Sequence, residues 1–201
     1  MIKMPNIILA SSSIYRLNLL KQIHIEPIVI KPNIDETPLA NETPQDLAFR
    51  LAYQKAKIIH NTHFDSIIIG CDQVLYLDDK ILGKPLTHDN AVLQLKHMRN
   101  KTCIFYTSIC MLHKDLIFQD FIQTQVVMHN YSDELIQTYL NIEKPYDCSG
   151  SAKSEGLGAM LIKKMHSDDP SALIGLPLTK VIDGLIKFNY SFFNLSNAFL
   201  K

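Results

Sequence analysis

Hydroxyl and charged side chains follow the first predicted strand, in residues 11–16. Their sequence is Ser-Ser-Ser-Ile-Tyr-Arg, which runs from Ser11 at the end of an apolar stretch to Arg16 in the first turn of a predicted helix. Free backbone N–H groups at a helix N-terminus, together with hydroxyls and a guanidinium, form a good site for a phosphate-like anion. Ordinary capping of the helix by Ser13 would explain the same residues. The segment alone leaves both explanations open.

Acidic residues occur in two further segments. Asp35 and Glu36 are adjacent in a polar loop, where acids are usually just solvated. Asp72 instead interrupts the apolar stretch 67–77. An acid within a buried strand is costly unless it has a partner or a metal ion. A strand end or bulge next to Gly70 is the ordinary explanation.

Lysines and a glycine-rich segment complete this set of polar groups. Lys55 lies on a predicted helix, and Lys84 stands between a flexible Gly83 and a stiff Pro85. A single lysine is usually a surface residue, and that explanation applies to both. Residues 150–158 combine small polar residues with glycines, a lysine and a glutamate, which suggests a loop that closes on a ligand. Acids and cations around a strand-to-helix turn are what metal-assisted chemistry on a polyphosphate requires.

The elements that must position these residues alternate along the chain. Apolar runs predict strands, apolar residues at helical spacing predict helices, and Ser13, Thr43 and Ser132 are expected N-caps. The stretch 144–158 reads as a loop. Strands that alternate with helices and end in a hairpin predict an α/β fold with a mixed sheet. The predicted strands are 6–10, 27–31, 67–77, 102–112 and 116–129, and the predicted helices are 14–23, 44–59, 87–98, one after Ser132, and 177–188.

Composition restricts the classes of function. The 201 residues are 47% hydrophobic and 20% charged, which is typical of a globular protein with a sizeable core. The formal net charge is zero, which argues against broad electrostatic binding to nucleic acid or an anionic membrane. No apolar run reaches the roughly 18 residues that a membrane span needs, and the N-terminus lacks the features of a signal peptide. We therefore expect a cytoplasmic protein.

Cysteines and histidines give no metal-binding pattern. The 4 cysteines form no C-x-x-C pair, so we expect reduced and mostly buried thiols. His60 and His63 lie at the end of a predicted helix and are expected to be surface residues, because no further ligands lie nearby. The aromatic tail 189–201 is expected to pack against this chain or a partner, and its sequence does not decide which.

Six motifs follow one another along the chain: Leu9-Ala10-Ser11-Ser12-Ser13-x-x-Arg16, Ile34-Asp35-Glu36-Thr37-Pro38, Arg50-Leu51-Ala52-x-x-Lys55-Ala56, Gly70-x-Asp72-Gln73-Val74, Ile81-Leu82-Gly83-Lys84-Pro85 and Gly175-Leu176-Pro177-Leu178. Together they resemble the Maf-like nucleotide pyrophosphatases, over about residues 6–185. Asp72-Gln73 and the run 150–156 look like the subgroup that hydrolyses 7-methyl-GTP, whereas sister groups acting on dTTP or UTP usually have Asp-Thr at the first place.

The resemblance implies an α/β fold in which helices flank an elongated mixed β-sheet and two lobes surround a nucleotide cleft. It implies a single domain over residues 1–201 and a requirement for Mg²⁺ or Mn²⁺. The implied reaction is hydrolysis of 7-methyl-GTP to 7-methyl-GMP and pyrophosphate. A small-molecule nucleotide would then be the partner, with no stable nucleic acid and no membrane, and homodimers are common in such proteins.

The resemblance also assigns roles to individual residues. Asp72 would be the catalytic acid, acting as general base or metal ligand, and Glu36 would assist metal binding. The residues that would hold the phosphates are Ser11, Arg16, Lys55 and Lys84.

Base preference would depend on Tyr15, Gln73 and Glu155. We expect Tyr15 to stack on the cationic ring of 7-methylguanine and Glu155 to accept hydrogen bonds from its N1–H and exocyclic amine. A solvated Glu155 and a Tyr15 packed in the core are the alternative. Two departures from the family pattern stand nearby: Ile14 replaces the usual proline, and Leu17 replaces a frequent second arginine.

Other functions remain open at this point. The enzyme could act on dTTP, UTP or another modified nucleotide, or the protein could be a nucleotide-sensing regulator, since Maf-like proteins are also linked to arrest of septum formation. The intact set of acids and lysines favours catalysis, because binding alone would not require both Glu36 and Asp72.

Overall fold

The computed structural model describes residues 4–191, and within them a 7-stranded mixed sheet forms the centre of the fold. The strand order is β2-β1-β3-β5-β6-β7, and β4 pairs with the far end of β3. β1 is parallel to β2 and β3, and the other pairs are antiparallel. The strands are β1 (Ile7–Ala10), β2 (Ile28–Val29), β3 (Ile67–Leu77), β4 (Lys80–Leu82), β5 (Thr102–His113), β6 (Leu116–Met128) and β7 (Ile162–His166).

Helices flank this sheet, and the three predicted caps are confirmed. The side chains of Ser13, Thr43 and Ser132 each accept a hydrogen bond from the backbone N–H three residues later. The helices are α1 (Ile14–Gln22), α2 (Pro44–His60), α3 (His88–Met98), α4 (Asp133–Glu143), α5 (Ser171–Ile174) and α6 (Leu178–Lys187), with short 3-10 turns at Ser149–Ser151 and Leu157–Leu161.

The alternation of side chains along β3 divides the hydrophobic core between the two faces of the sheet. Even-numbered residues such as Ile68 and Val74 face α2, whereas odd-numbered residues face the opposite side. On that opposite side, Ile69 and Cys71 pack under α1 and α6, and Leu75 packs under α3 and α4. Two apolar clusters therefore lie end to end on one face of the sheet, and position 73 falls at their border.

The predicted α/β class with a mixed sheet is confirmed, and the differences concern short elements. β2 covers only two residues of the predicted strand 27–31. β4 and β7 were not predicted, because β4 has only three residues and β7 carries exposed lysine and histidine side chains without apolar alternation. The predicted loop 144–158 contains the first 3-10 turn and the start of the second.

Burial tests the cysteine and histidine predictions. Cys71, Cys103 and Cys110 are buried, as expected. His63 is exposed, but the surface prediction is wrong for His60, which is only 5% exposed. His60 follows Ala52 and Ala56 at four-residue intervals on the buried stripe of α2, so it turns toward the core.

The aromatic tail lies outside the described residues from position 192 onward. The single-domain organisation over residues 1–201 stays a prediction. None of the helices in residues 4–191 is long and apolar enough to cross a bilayer.

Candidate active site

A break in strand pairing along one edge of β3 opens a cleft. β1 pairs with β3 as far as Gly70, and β4 pairs with it from Leu75 onward, while β5 pairs along the other edge throughout. In residues 4–191, no strand therefore covers positions 71–74 on the β1 side. A cleft of about 740 Å³ lies at this gap. Because side chains alternate along a strand, Asp72 and Gln73 enter it from opposite faces of the sheet.

The cleft brings together every side chain that the sequence analysis predicted for the site. Their roles stay predictions. Four loops, the helices α1 and α2 and the edge of β3 contribute these residues, which are far apart in the chain. The predicted residues that line the cleft are Ser11, Tyr15, Arg16, Glu36, Lys55, Asp72, Gln73, Lys84 and Glu155.

Lys55 is the centre of the charged side of the cleft. Its Nζ lies 2.5 Å from Oδ1 of Asp72 and 2.8 Å from Oε1 of Glu36. Lys55 is 6% exposed and Asp72 is 7% exposed, so the ordinary explanation of Lys55 as a surface residue is wrong. Asp72 lies within β3 rather than at a strand end. The buried carboxylate has the cationic partner that its burial requires.

Gly70 explains how Lys55 reaches Asp72. A Cβ atom at Gly70 would lie 2.3 Å from the carbonyl oxygen of Ala52 and 2.6 Å from the backbone nitrogen of Ala56. The backbones of α2 and β3 thus pack directly against each other at this point. The close approach carries the Lys55 side chain down to the sheet, beside the carboxylate two residues after Gly70.

The two carboxylates have opposite pKa shifts. Burial raises the pKa of Asp72 above its ordinary value, although Lys55 and Arg16 oppose the shift. Burial also acts to raise the pKa of Glu36, but the hydrogen bond and charge of Lys55, with Lys84 and Arg16, outweigh it and hold that pKa low. Glu36 therefore stays ionised, while Asp72 is able to accept a proton more readily than an ordinary aspartate. Carboxyl groups separated in this way can take different roles in one reaction.

Backbone carbonyls orient Arg16 on the other side of the cleft. Its Nε donates to the carbonyl of Gly175 at 2.8 Å, and one terminal nitrogen donates to the carbonyl of Cys71 at 2.7 Å. That nitrogen also lies 3.4 Å from Oγ of Ser11. Within the described residues, the second terminal nitrogen has no hydrogen bond. The Arg16 guanidinium is held by neutral acceptors, so its positive charge remains available to an anion.

Gln73 is tied to the end of α5. Its Nε2 donates to the carbonyls of Ala172 at 2.8 Å and Leu173 at 3.1 Å, and to Oγ1 of Thr107 at 3.0 Å. Backbone carbonyls only accept hydrogen bonds, so this contact determines which end of the amide carries the nitrogen. The remaining group, Oε1, is an acceptor. Toward a ligand, Gln73 therefore offers an acceptor and no donor.

Tyr15, in the first turn of α1, and the loop 147–157 form another part of the cleft wall. The Tyr15 hydroxyl donates to Oδ1 of Asp147 at 3.3 Å, and the ring is half-buried at the cleft wall rather than packed in the core. Nζ of Lys153 lies 5.7 Å from the centre of the Tyr15 ring and 3.0 Å from the Glu143 carboxylate. One face of the ring is thus already covered by a cation. Glu155 is exposed beside it.

Lys84 enters the cleft from the part of the molecule that contains α3 and α4. The preceding carbonyl, of Gly83, accepts hydrogen bonds from Nε2 of Gln94 at 2.9 Å and from the backbone of Gly150 at 3.4 Å. The following carbonyl, of Pro85, accepts from Asn90 at 3.0 Å. These contacts fix the backbone on both sides of the exposed Lys84, which lines the cleft.

A sequence model of the Maf-like protein family matches residues 6–188. This chain belongs to the Maf-like protein family. It is similar to proteins named 7-methyl-GTP pyrophosphatase from Methylobacillus flagellatus (48% identical, covering 90% of this chain and 96% of that one) and Cupriavidus pinatubonensis (46% identical, covering 94% and 96%). A third, from Cupriavidus metallidurans, is 49% identical and covers 87% of this chain and 88% of its own.

Two solved structures also align with part of this Maf-like protein. The Ham1 protein of Staphylococcus aureus has a TM-score of 0.45 at 17% identity and covers 62% of this chain and 72% of that one. A HAM1 protein from Coxiella burnetii has a TM-score of 0.44 at 16% identity, with 64% and 75% covered.

The carboxylates of Glu36 and Asp72 are groups in the described cleft of this Maf-like protein that could hold a divalent cation. Glu36 and Asp72 converge on the Lys55 ammonium, which shows that a positive charge is accommodated between them. Residues 4–191 contain no group of three or more His, Cys, Asp or Glu side chains arranged to hold a metal. Mg²⁺ commonly uses one or two carboxylates and takes its other ligands from phosphates and water.

Sequence reasoning did not find several residues of the cleft. Lys31 and Asp147 line it, and the carbonyls at the end of α5 support its wall. Backbone carbonyls have no sequence signature, so only the fold could reveal them. The two departures from the family pattern are accommodated simply: α1 begins at an exposed Ile14, and Leu17 packs against the core beside α6.

Proposed function

We propose that this Maf-like protein hydrolyses a nucleoside triphosphate to the monophosphate and pyrophosphate, with 7-methyl-GTP as its preferred substrate. The observation that carries the proposal is the buried Asp72–Lys55 pair at the uncovered edge of β3, in a chain 48% identical to a protein named for this activity. Specificity for dTTP, UTP or another modified nucleotide within the same family is the alternative.

Binding of the triphosphate uses cations on both sides of the cleft. Arg16, Ser11 and the free N–H groups at the start of α1 approach the phosphates from one side. Lys84 approaches from the other. One N–H group of the Lys55 ammonium can leave the carboxylates and donate a hydrogen bond to a phosphate oxygen. Such fixed positive groups stabilise charge that develops on the phosphates during the reaction.

Asp72 acts as the general base. Its carboxylate takes a proton from a water molecule as the water oxygen forms a bond to the α-phosphorus. The bond between that phosphorus and the bridging oxygen of the β-phosphate then breaks, and pyrophosphate leaves. A carboxylate with a raised pKa suits this role because it holds the proton better at neutral pH. Glu36 and Asp72 would hold a divalent cation, which offsets charge on the attacked phosphate when it is bound.

Base selection depends on acceptors that match the donor edge of guanine. Oε1 of Gln73 and the Glu155 carboxylate both accept hydrogen bonds, and guanine presents an N1–H and an amine on one edge. Uracil and thymine present carbonyl oxygens on both sides of a single N–H, which leaves acceptors facing acceptors at about 1–3 kcal/mol for each unpaired group. The cationic 7-methylguanine ring stacks on the Tyr15 face that Lys153 does not cover, at about 0.5–2 kcal/mol.

Product analysis tests the bond that is cleaved. Purified protein is incubated with 7-methyl-GTP and Mg²⁺ or Mn²⁺, and the products are separated by ion exchange. The expected products are 7-methyl-GMP and pyrophosphate. Formation of 7-methyl-GDP with orthophosphate would reject the proposed cleavage site.

Substrate competition tests the specificity. We expect kcat/KM to fall in the order 7-methyl-GTP, GTP, then UTP and dTTP, since GTP shares the donor edge but lacks the charged ring. Glu155→Gln should reduce the preference for 7-methyl-GTP over UTP by about tenfold, which corresponds to one charge-assisted contact. Equal or better use of UTP or dTTP by the wild type would overturn the specificity. An unchanged preference in the variant would remove Glu155 from it.

Chelation tests the metal requirement. Excess EDTA should abolish turnover, and Mg²⁺ or Mn²⁺ should restore it, because carboxylates and phosphate oxygens are the usual ligands of such ions. Glu36→Gln should raise the concentration of cation that gives half-maximal activity. Full activity in EDTA would exclude the cation.

A further inference from the structure

The segment 169–179 connects β7 to α6 and supports the wall of the cleft from behind. Carbonyls from this one segment hold both Arg16, through Gly175, and Gln73, through Ala172 and Leu173. These two side chains approach the substrate from different elements, α1 and β3. A shift of the segment would therefore move both.

The segment has little internal structure to hold this shape. α5 is a single turn of four residues, and it ends at Gly175, whose φ of 127° lies in the left-handed region. The last carbonyls of a helix have no partners within the helix. The carbonyls of Ala172 and Leu173 both accept from Gln73, and that of Ala172 also accepts from the backbone N–H of Gly175 at 3.0 Å. A helix this short depends on outside contacts for its orientation.

Asp169 supplies these contacts. Its side chain is buried at 3% exposure and lies outside the cleft lining. Oδ1 accepts from the backbone N–H and the hydroxyl of Ser171, at 2.9 and 2.5 Å. Oδ2 accepts from the backbone N–H and the hydroxyl of Thr179, both at 2.8 Å. One carboxylate thus joins the start of α5 to the first turn of α6 and closes a loop around Gly175.

The hydroxyl of Ser171 adds a second contact between α5 and the start of α6. It accepts a hydrogen bond from the backbone N–H of Leu178 at 2.8 Å. Burial alone would raise the pKa of Asp169, but the hydrogen bonds from Ser171 and Thr179 outweigh burial and lower it. The carboxylate is therefore ionised at neutral pH, and its oxygens act only as acceptors.

We propose that Asp169 is a positioning residue for substrate recognition: it holds the 169–179 segment so that the Gly175 carbonyl orients Arg16 and the α5 carbonyls orient Gln73. Asp169 does not contact the nucleotide. It acts on phosphate binding through Arg16 and on base selection through Gln73. The inference rests on the proposed function, since both effects are read out on nucleotide substrates.

The first test replaces Asp169 by asparagine and uses the adjacent, exposed Asp168 as the matched control. In Asp169→Asn an amide N–H₂ faces the N–H groups of Ser171 or Thr179, so the closure is lost. We expect KM for 7-methyl-GTP to rise about tenfold, which corresponds to roughly one charge-assisted hydrogen bond, and the preference over UTP to fall several-fold. Asp168→Asn should match the wild type in both.

A merely structural role predicts a different result. Partial unfolding lowers the active fraction, so apparent kcat falls equally for every nucleotide while KM and the preference stay at wild-type values. That outcome would overturn the proposal. Absence of pyrophosphate release by the wild type with any nucleotide would reject the proposed function itself, and this inference with it.

A milder pair of variants keeps the test decisive if Asp169→Asn does not fold. Thr179→Val removes one hydroxyl donor but keeps the backbone N–H, and Thr179→Ser restores the hydroxyl. We expect Thr179→Val to raise KM by about threefold and Thr179→Ser to return it toward the wild type. In an Arg16→Met background, Thr179→Val should raise KM by less than it does in the wild type, because only the path through Gln73 remains. Equal KM values for both Thr179 variants and the wild type, or an undiminished effect without Arg16, would refute the positioning role.

Discussion

The two faces of β3 at the cleft are held by different kinds of contact. On the α2 face, the side chains of Asp72, Lys55 and Glu36 hold one another through opposite charges at 2.5 and 2.8 Å. On the other face, Gln73 and Arg16 are held mainly by backbone carbonyls, which carry no net charge and cannot titrate.

Under the proposed function, this difference would separate the groups that carry out the reaction from the groups that recognise the substrate. Charged partners can exchange: the Lys55 ammonium can move to a phosphate, and Asp72 can gain a proton. Carbonyl-bound groups keep one orientation whatever the pH or the substrate. We therefore expect substitutions on the α2 face to change kcat and its pH dependence, and substitutions on the opposite face to change KM and base preference.

Loss of the Asp72 charge should have the largest effect. Asp72→Asn keeps the shape but cannot accept a proton, so kcat should fall at least about a hundredfold, with KM changed much less. Circular dichroism should show a native fold, and Asp115→Asn in the exposed β5–β6 turn serves as the charge-matched control. Near-normal turnover by the folded variant would mean that Asp72 is not the base.

Added bulk at Gly70 should separate α2 from the sheet. In Gly70→Ala the new methyl meets the backbone of Ala52 and Ala56, and overpacking of this kind costs about 1–3 kcal/mol in the free energy of unfolding, measured with urea. Because Lys55 would move with α2, kcat should also fall. Gly83→Ala is the control for stability, since its methyl meets nothing within 4 Å. Equal stability of the two variants would contradict the direct backbone packing.

The pH dependence of the reaction should report on Asp72. The base must be ionised, and burial raises the pKa of its carboxyl, so the acid limb of kcat/KM should lie above the ordinary value of about 3.9. The same raised pKa has the opposite pH dependence for the stability of the fold. A carboxyl whose pKa is raised on folding favours the folded state at low pH, and this contribution is lost as pH rises through the raised pKa. An acid limb that persists unchanged in Asp72→Asn would assign it to another group.

The smallest effect is expected for a substitution of Thr107, which is a hydrogen-bond partner of Gln73. Thr107 accepts from Gln73 and donates to the Ala172 carbonyl at 3.0 Å. Thr107→Val should leave kcat near the wild type and weaken the preference for 7-methyl-GTP over UTP by about threefold, the size of one neutral hydrogen bond. Tyr131→Phe is the control, because it removes a buried hydroxyl's hydrogen bond to the Leu95 carbonyl outside the cleft lining. A fall in kcat with unchanged preference would remove the proposed division between the two faces.

The sequence by itself determined the local features of this protein. The caps at Ser13, Thr43 and Ser132 were predictable because the side chain and the N–H that it accepts from lie three residues apart. The long hairpin of β5 and β6 followed from two apolar runs and a polar turn. Motifs in a fixed order identified the family and, through it, the residues that meet in the cleft.

Only the tertiary structure decided how those residues are held. The contact of Arg16 with Gly175 spans 159 positions in sequence, and that of Gln73 with Ala172 spans 99. The burial of Lys55 and His60, and the acceptor that Gln73 presents, depend on which element packs against them. Local periodicity contains no information about such partners, because carbonyl acceptors are the same at every residue and become distinctive only when the fold brings them together.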